Sequence, residues 1–395
     1  MDKIYFDNAS TTSMNAEVLN AMLPVMADTY GNSSSVHSFG REAQLLVDDA
    51  RDYIASSINA NSNEIYFTGS GSEANSWAII GIANANIEKG NHIITSKIEH
   101  PSVLEACKYL EQNGFEVTYL DVDKDGFVNF AQLLNSIRSS TIMIAIMAAN
   151  NELGTIQNIK AIGTTAHEEN IIFMTDAVQL YGNMNIDVQD MCIDVMSISA
   201  HKIHGPKGVG ALYVSNKVKI DPIVFGGNQE RGKRGGTTNV AGIVGFKKAC
   251  EIANDDMRVH NNKLKNLSEY FVAKLRDSVE NIEFNAHVRQ KLPHIVSVTF
   301  IGVDGESLLT KLDLNGVAVS TGSACTSNSL KVSHVMTAIG MKNDMARSTI
   351  RFSFSTSNSY QEIDHAIAII KQCVEELRAY SSTYGSLTRK RKGDK

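Results

Sequence analysis

The stretch "VMSISAHKIHGPKGVGALYVS", residues 195–215, decides how this chain is built. Its two apolar runs, 195–200 and 210–215, have the length of buried strands, and the Gly- and Pro-containing "HGPKG" between them reads as a turn. Lys202 then stands just past the carboxyl end of the first strand. Open α/β sheets bind ligands at that edge. A surface lysine is the plain reading of any single Lys. In a crevice beside His201 and His204, though, desolvation and neighbouring cations favour the neutral amine, and Lys202 becomes a candidate Schiff-base nucleophile.

Outward from that stretch, short strand-like runs recur at 64–68, 92–96, 116–120, 142–147 and 171–176. Helix-compatible segments lie between them at 73–87, 101–112, 130–138 and 159–169. Strands separated by helices predict a mostly parallel, doubly wound sheet. A long polar-faced helix over 255–280 leads out of it. Beyond come strands at 295–300, 317–321 and 349–354 and helices at 304–313 and 360–379, the pattern of a smaller α/β unit.

The bulk properties are those of an ordinary globular protein. The chain has 395 residues, 43% hydrophobic and 20% charged, enough for two domains. A formal charge of -6 argues against nucleic acid as the direct ligand, because phosphate-backbone binders need a basic face. No run approaches the ~18 apolar residues of a membrane span, and "MDKIYFDNAS" lacks a secretory signal's plan. The five cysteines are scattered, odd in number and without a CxxC pair, which suits a reducing cytoplasm and predicts no metal site.

Two motifs match a function only in part. "DVDKDGFVNFAQ" (121–132) resembles a calcium loop, but Gln132 stands where a bidentate carboxylate is required. A strand-to-helix turn is the better reading. "GGNQERGKR" (226–234) has P-loop glycine spacing, with Arg234 where Mg²⁺ needs Ser or Thr.

The chemistry gathers at strand ends. "MTDAVQ" (174–179) places Asp176 where a carboxylate can hold a pyridinium nitrogen protonated, with Gln179 able to donate to a phenolic oxygen. "FTGSGSEAN" (67–75) reads as strand, turn and helix, with Ser70 and Glu73 spaced as a capping box. The helix amides and the Ser72 hydroxyl offer a phosphate seat. "SKIEHPSV" (96–103) puts His100 before a helix-starting proline, where its ring can stack on a flat cofactor or serve as a structural hydrogen-bonding group. "STGSACTSNS" (320–329) is too polar to bury a cysteine well, and Cys325 reads as a thiol on a loop.

With "HKIHGPKG", "NNELG", "TDAVQ", "ERGKRGGTTN" and "STGSACTS" in view, the chain resembles the cysteine desulfurases of the NifS/IscS type. These belong to the fold-type I pyridoxal-phosphate enzymes of the class V aminotransferase family. The resemblance runs from "YFDNASTT" (5–12) to "RFSFS" (351–355). It implies a large cofactor domain with a mostly parallel seven-stranded sheet over 15–255. A smaller α/β domain of 1–14 and 256–395 would carry the catalytic-cysteine loop.

By position, Lys202 matches the lysine that forms the Schiff base with pyridoxal 5'-phosphate. His100 matches the ring-stacking histidine, Asp176 the partner of the pyridine nitrogen and Gln179 that of the phenolic oxygen. Gly71, Ser72, Ser199 and His201 fall where the family binds phosphate. Thr237 matches a threonine reaching the phosphate from the other subunit, which implies a homodimer. Asn151 and Arg351 match the residues that hold the substrate carboxylate, a group an Arg fork suits. Cys325 matches the catalytic cysteine. The implied reaction converts L-cysteine to L-alanine and leaves a Cys325 persulfide for a sulfur acceptor, such as an iron–sulfur scaffold, a tRNA-thiolation enzyme or a thiamine-pathway carrier.

The loop 320–333 resembles the group with an extended catalytic loop. Departures are modest: Gly71-Ser72, Ser76, Ser33 and "LKVS" (330–333) replace commoner choices, and none removes a catalytic group. A related aminotransferase or lyase, a selenocysteine lyase and a non-catalytic assembly partner remain as rival readings.

Overall fold

The computed structural model describes residues 3–287, 289–321 and 332–380. The chain enters through β1 (Ile4–Tyr5), α1 (Ala16–Ala27) and α2 (Ser38–Ser56). Alternation then begins with β2 (Ile65–Thr68), α3 (Gly71–Ala85), β3 (His92–Ser96), α4 (Pro101–Gln112), β4 (Glu116–Leu120) and α5 (Phe130–Ser136). It continues with β5 (Thr141–Ala145), α6 (Ile159–Glu168), β6 (Ile172–Asp176), β7 (Val195–Ser199) and β8 (Gly210–Val214). The helices α7 (Val240–Asp255) and α8 (Met257–Ser278) lead to β9 (Ile282–Asn285), β10 (Ile295–Phe300), α9 (Gly305–Leu314) and β11 (Val317–Ala318). After these come α10 (His334–Ala338), α11 (Asn343–Arg347), β12 (Thr349–Ser353) and α12 (Tyr360–Ala379).

The main sheet has seven strands in the order β2-β8-β7-β6-β5-β3-β4. Only β8 runs against its neighbours. The carboxyl ends of β2, β3, β5, β6 and β7 therefore share one edge, and the loops leaving them build one site. Strands β5 and β7 are buried along their whole length, as expected of a sheet covered on both faces. An antiparallel sheet β12-β10-β9 and the parallel pair β1-β11 complete the fold. A second apolar core lies there, in which Phe6 meets Phe354 at 4.9 Å and Phe271 meets Phe352 at 4.7 Å between ring centroids.

Several expectations needed adjusting. The strand at 317–321 stops after Ala318, because Ser320 leaves β1 to exchange backbone hydrogen bonds with Arg351 (3.2 and 2.7 Å). The capping box is half there: Ser70 accepts from the Glu73 amide at 3.1 Å, but the Glu73 carboxylate takes the Gly69 amide (2.8 Å) and the Arg234 guanidinium (2.7 Å). The calcium-like loop is a turn between β4 and α5. Its Asp123 carboxylate accepts the amides of Asp125 and Phe127, both at 2.9 Å, and Gln132 accepts that of Asp121 at 2.7 Å. Among the described residues no group of three or more His, Cys, Asp or Glu is placed to hold a metal ion. None of the described helices is long and apolar enough to cross a membrane.

The P-loop-like stretch has a structural task. Arg51 on α2 forks onto Glu230 with bonds of 2.7 and 2.8 Å and donates to the Ile65 carbonyl at 2.7 Å. Glu230 also accepts the Phe67 amide at 3.0 Å, which ties the connection after β8 to the start of the sheet. The two side chains are 10% and 7% exposed. Removing one partner of such a pair strands a buried charge, so Glu230→Ala is expected to cost about 3–5 kcal/mol of stability. A denaturant midpoint equal to that of the wild type would contradict this.

Candidate active site

Five strand ends and one strand of the second sheet enclose a cavity of about 240 Å³. Into it project His100, Asn151, Asp176, Gln179, Ser199, His201, Lys202 and Arg351, together with Ser70, Gly71 and Ser72 at the start of α3. Residues as far apart in sequence as Ser70 and Arg351 meet here because the sheet order brings their strand ends together.

Lys202 ends the single 3-10 turn that follows β7. Its ammonium donates to the carbonyls of Ala9 and Ser10, both at 2.6 Å, so the segment after β1 is drawn over the cavity. Asp176, at the end of β6, has one oxygen on the Val178 amide (3.0 Å) and the other on the Asn75 amide group (2.7 Å). Asn75 is saturated. It also donates to Ser102 Oγ at 3.0 Å and accepts from Ser197 Oγ at 2.6 Å. The carboxylate is thus aimed by a side chain one helical turn from Gly71, on the same face of α3. Gln179 donates to the Ala9 carbonyl at 3.0 Å.

His100 is the N-cap of α4, where its Nδ1 accepts the Ser102 amide at 3.2 Å and lies 2.8 Å from Ser102 Oγ. An accepting Nδ1 puts the proton on Nε2. Burial holds the imidazole below its ordinary pKa, against the pull of the Asp176 charge and with help from Lys202 and His334. The ring is neutral and flat-faced at pH 7. The structural-cap reading of His100 is met, and the same side chain lines the cavity. His201 is likewise pushed down to about 4, first by burial and then by Lys202 and Lys207. Its Nδ1 lies 3.1 Å from Thr11 Oγ1.

The α3 end of the cavity fits a phosphate. Helix N-terminal amides and their dipole favour an anion, and Ser72 adds a hydroxyl. The Ser199 hydroxyl is buried and has no hydrogen-bond partner among the described residues, a donor left for something else. Gly71 is needed for the approach, since a Cβ there would lie 2.8 Å from Val178 Cγ2 and 3.4 Å from Ser199 Cβ. The opposite wall fits a carboxylate. Arg351 is 4% exposed. It donates to the Asn151 carbonyl (2.9 Å), Asp7 (2.8 Å) and Ser10 Oγ (2.6 Å), while its Nε has no partner among the described residues. Phosphate seat, ring-nitrogen carboxylate, stacking imidazole and amine are the parts pyridoxal phosphate requires.

A larger cavity of about 390 Å³ shares Lys202 and Gln179 but faces His204, His260 and His294. It reaches the N-terminus of α1 at Asn15 and Ala16 but has no carboxylate in its lining for a ring nitrogen, so it lacks a part that the smaller cavity has.

Thr237 does not reach the site of its own chain. It is exposed on the connection before α7, outside the cavity wall. Cys325 and the loop positions 322–331 lie outside the described residues, as does the basic tail. Sequence reasoning missed Asn75, Asp7 and Ser10. The first was legible as a residue four positions after Gly71. The other two sit in the quoted "YFDNASTT", but their contact with Arg351 spans more than 340 residues.

Residues 4–365 match the model of the family described as Aminotransferase class-V. A "Cysteine desulfurase IscS" of Clostridium botulinum is 46% identical over 381 residues, covering 96% of each chain. The protein of the same description from Methanosarcina thermophila is 47% identical over 378 residues, covering 96% of this chain and 93% of its own. Among solved structures, one described as "NIFS-LIKE PROTEIN" superposes with a TM-score of 0.90 at 35% identity, over 95% of this chain and 100% of the other.

Proposed function

The chain belongs to the class-V aminotransferase family and is a pyridoxal-phosphate-dependent cysteine desulfurase, and from that premise we propose that the 240 Å³ cavity is its active site, with Cys325 as the sulfur-accepting thiol. The observation that carries the site assignment is the cavity wall itself. Lys202, Asp176, His100 and Arg351 converge there, beside a Ser199 hydroxyl that lacks a partner among the described residues.

Ser72, Ser199, His201 and the α3 amides would hold the cofactor phosphate, Asp176 its ring nitrogen, Gln179 its phenolic oxygen and His100 its face. Bound there, pyridoxal phosphate supplies a conjugated, electron-withdrawing system that accepts the charge left when Cα loses its proton. Arg351, steadied by Asp7 and the Asn151 carbonyl, would bind the carboxylate of L-cysteine through the side of its Nε, which has no partner among the described residues. The Lys202 amine would hold the cofactor and, at the same end of the cavity, take the Cα proton of the substrate. The Cys325 thiolate attacks the substrate sulfur. One S–S bond forms as the Cβ–S bond breaks, the electron pair stays on Cβ, and protonation at Cβ together with return of the proton to Cα by Lys202 completes alanine. The persulfide on Cys325 keeps the sulfur for an acceptor protein, and no external oxidant is needed.

Other cysteines are poorly suited to that role. Burial pushes Cys107 and Cys250 up to about 12 and raises Cys373 as well, and none of the described cysteines lines the cavity. The test quantifies alanine formed from L-cysteine in the presence of a reducing thiol. Pyruvate and ammonia in place of alanine would indicate a lyase on this scaffold.

A homodimer is part of the same proposal. Leu23, Met26, Tyr30, Val36 and Phe39 are left exposed along and beyond α1, an apolar run that a second copy of the chain would cover. Thr237, exposed before α7, would then serve the partner's phosphate seat. Sedimentation is expected to report a dimer, and a fully active monomer would contradict it. A cytoplasmic setting accords with the described cysteines all being free. The division into 15–255 and 1–14 plus 256–395 is supported by the two cores, since Val18 and Ala253 pack in the first while Ile4, Phe6 and Leu264 pack in the second, although Ala9, Leu292 and Ile295 cross it to join the first.

A further inference from the structure

The catalytic cysteine's neighbours on the chain are tied to the substrate site at both ends. On the N-terminal side, Ser320 exchanges two backbone hydrogen bonds with Arg351, 3.2 Å inward and 2.7 Å outward. On the C-terminal side, Ser333 follows Cys325 by eight residues and caps α10, accepting the amides of Val335 (3.1 Å) and Met336 (3.3 Å). The Ser333 hydroxyl proton goes elsewhere. It is donated to the Glu152 carboxyl at 2.6 Å.

Glu152 is an unusual residue to find there, 3% exposed and, among the described residues, without a basic partner in hydrogen-bond contact. It belongs to a turn held by Asn150, whose side-chain oxygen accepts the amides of Glu152 and Leu153, each at 2.9 Å. The residue between Asn150 and Glu152 is Asn151, whose carbonyl receives the Arg351 guanidinium. Around this tether Val335 and Met336 pack on Ile98, Met147 and Leu153, and His334 Nε2 donates to the Glu99 carbonyl at 2.9 Å. Burial lifts the Glu152 carboxyl to about 7, with the Ser333 bond and the Arg351 charge pulling it back. Charged or protonated, it keeps an oxygen for the Ser333 hydroxyl.

A buried carboxyl costs free energy that packing alone does not require. We propose that Glu152 is a positioning residue for sulfur transfer: through Ser333 it fixes the C-terminal root of the Cys325 segment to the same turn that holds Arg351. The Arg351 guanidinium and Ser333, eight residues after Cys325, then take their register from one turn. Effective molarity in such a reaction depends on that register. The inference rests on the roles proposed above for Cys325 and Arg351.

The test uses holoenzyme of Glu152→Ala, Glu152→Gln and Ser333→Ala. Two quantities are measured: L-cysteine affinity from the change in cofactor absorbance, and single-turnover persulfide formation on Cys325 by alkylation and mass analysis. Loss of one hydrogen bond to a carboxyl is expected to slow persulfide formation by about tenfold or more in Glu152→Ala and Ser333→Ala. Cysteine affinity should stay within about twofold, because Arg351 keeps its own contacts. Glu152→Gln retains an acceptor oxygen and should recover most of the rate. Ser333→Ala reads the same bond if Glu152→Ala does not fold. Wild-type persulfide rates in the variants that fold, or a loss confined to cysteine affinity, would overturn the inference. Cys325→Ser run alongside separates the two levels: alanine formation by that variant would overturn the underlying assignment of Cys325 and this inference with it.

Discussion

Lys202→Ala is expected to lose alanine formation by well over the ~10²–10⁴-fold attached to a positioned general base, because the covalent hold on the cofactor disappears with the base. The fold should survive. The side chain's contacts include two hydrogen bonds to the Ala9 and Ser10 carbonyls, which water can replace at a cost of about 1 kcal/mol each. Thermal midpoint and activity should therefore part company. Lys202→Arg sharpens the test. It keeps the positive charge and can still donate to both carbonyls, but a guanidinium does not deprotonate in a protein. It too should be inactive. After reduction with borohydride, the cofactor mass should appear on the peptide carrying Lys202 in the wild type and on no peptide of either variant. Turnover near the wild-type rate in Lys202→Ala would remove the basis of the site assignment.

Cys325→Ser should abolish alanine formation while leaving the cofactor absorbance and its response to L-cysteine in place. The distinction is one of nucleophile. A thiolate is accessible near neutral pH and attacks sulfur readily, whereas a serine hydroxyl is almost entirely protonated there. No described cysteine is placed to substitute, since Cys107 and Cys250 are buried away from the cavity with thiols pushed up to about 12. Alanine from the variant at the wild-type rate would sink the persulfide route. Pyruvate and ammonia from both proteins would return Cys325 to an ordinary residue.

Much of the architecture was legible because it is local. Strands β3, β4 and β10 and helices α4 and α12 fall where hydrophobic run length and turn residues put them. Helices α1, α2 and α7 went unread. Pro24 lies inside α1, whose Leu19, Leu23 and Met26 face outward, and α7 carries Gly242 and Gly245, so neither shows a clean one-sided stripe. Similarly, the Ser70 cap could be anticipated from spacing, but the diversion of Glu73 to Arg234 could not, since its partner is 161 residues away.

By itself the sequence determined which residue types stand at strand ends: a lysine after β7, a carboxylate closing β6, a histidine capping α4 and a glycine-serine turn opening α3. Each depends on chain neighbours alone, and each carries its chemistry with it. Only the tertiary structure decided what those groups are tied to. Asn75 aims Asp176, Asp7 and Ser10 steady Arg351, and Glu152 receives Ser333. Those contacts depend on strand order and on how the second sheet packs against the first. That arrangement is set by burying two apolar cores at once, so no short window of sequence contains it.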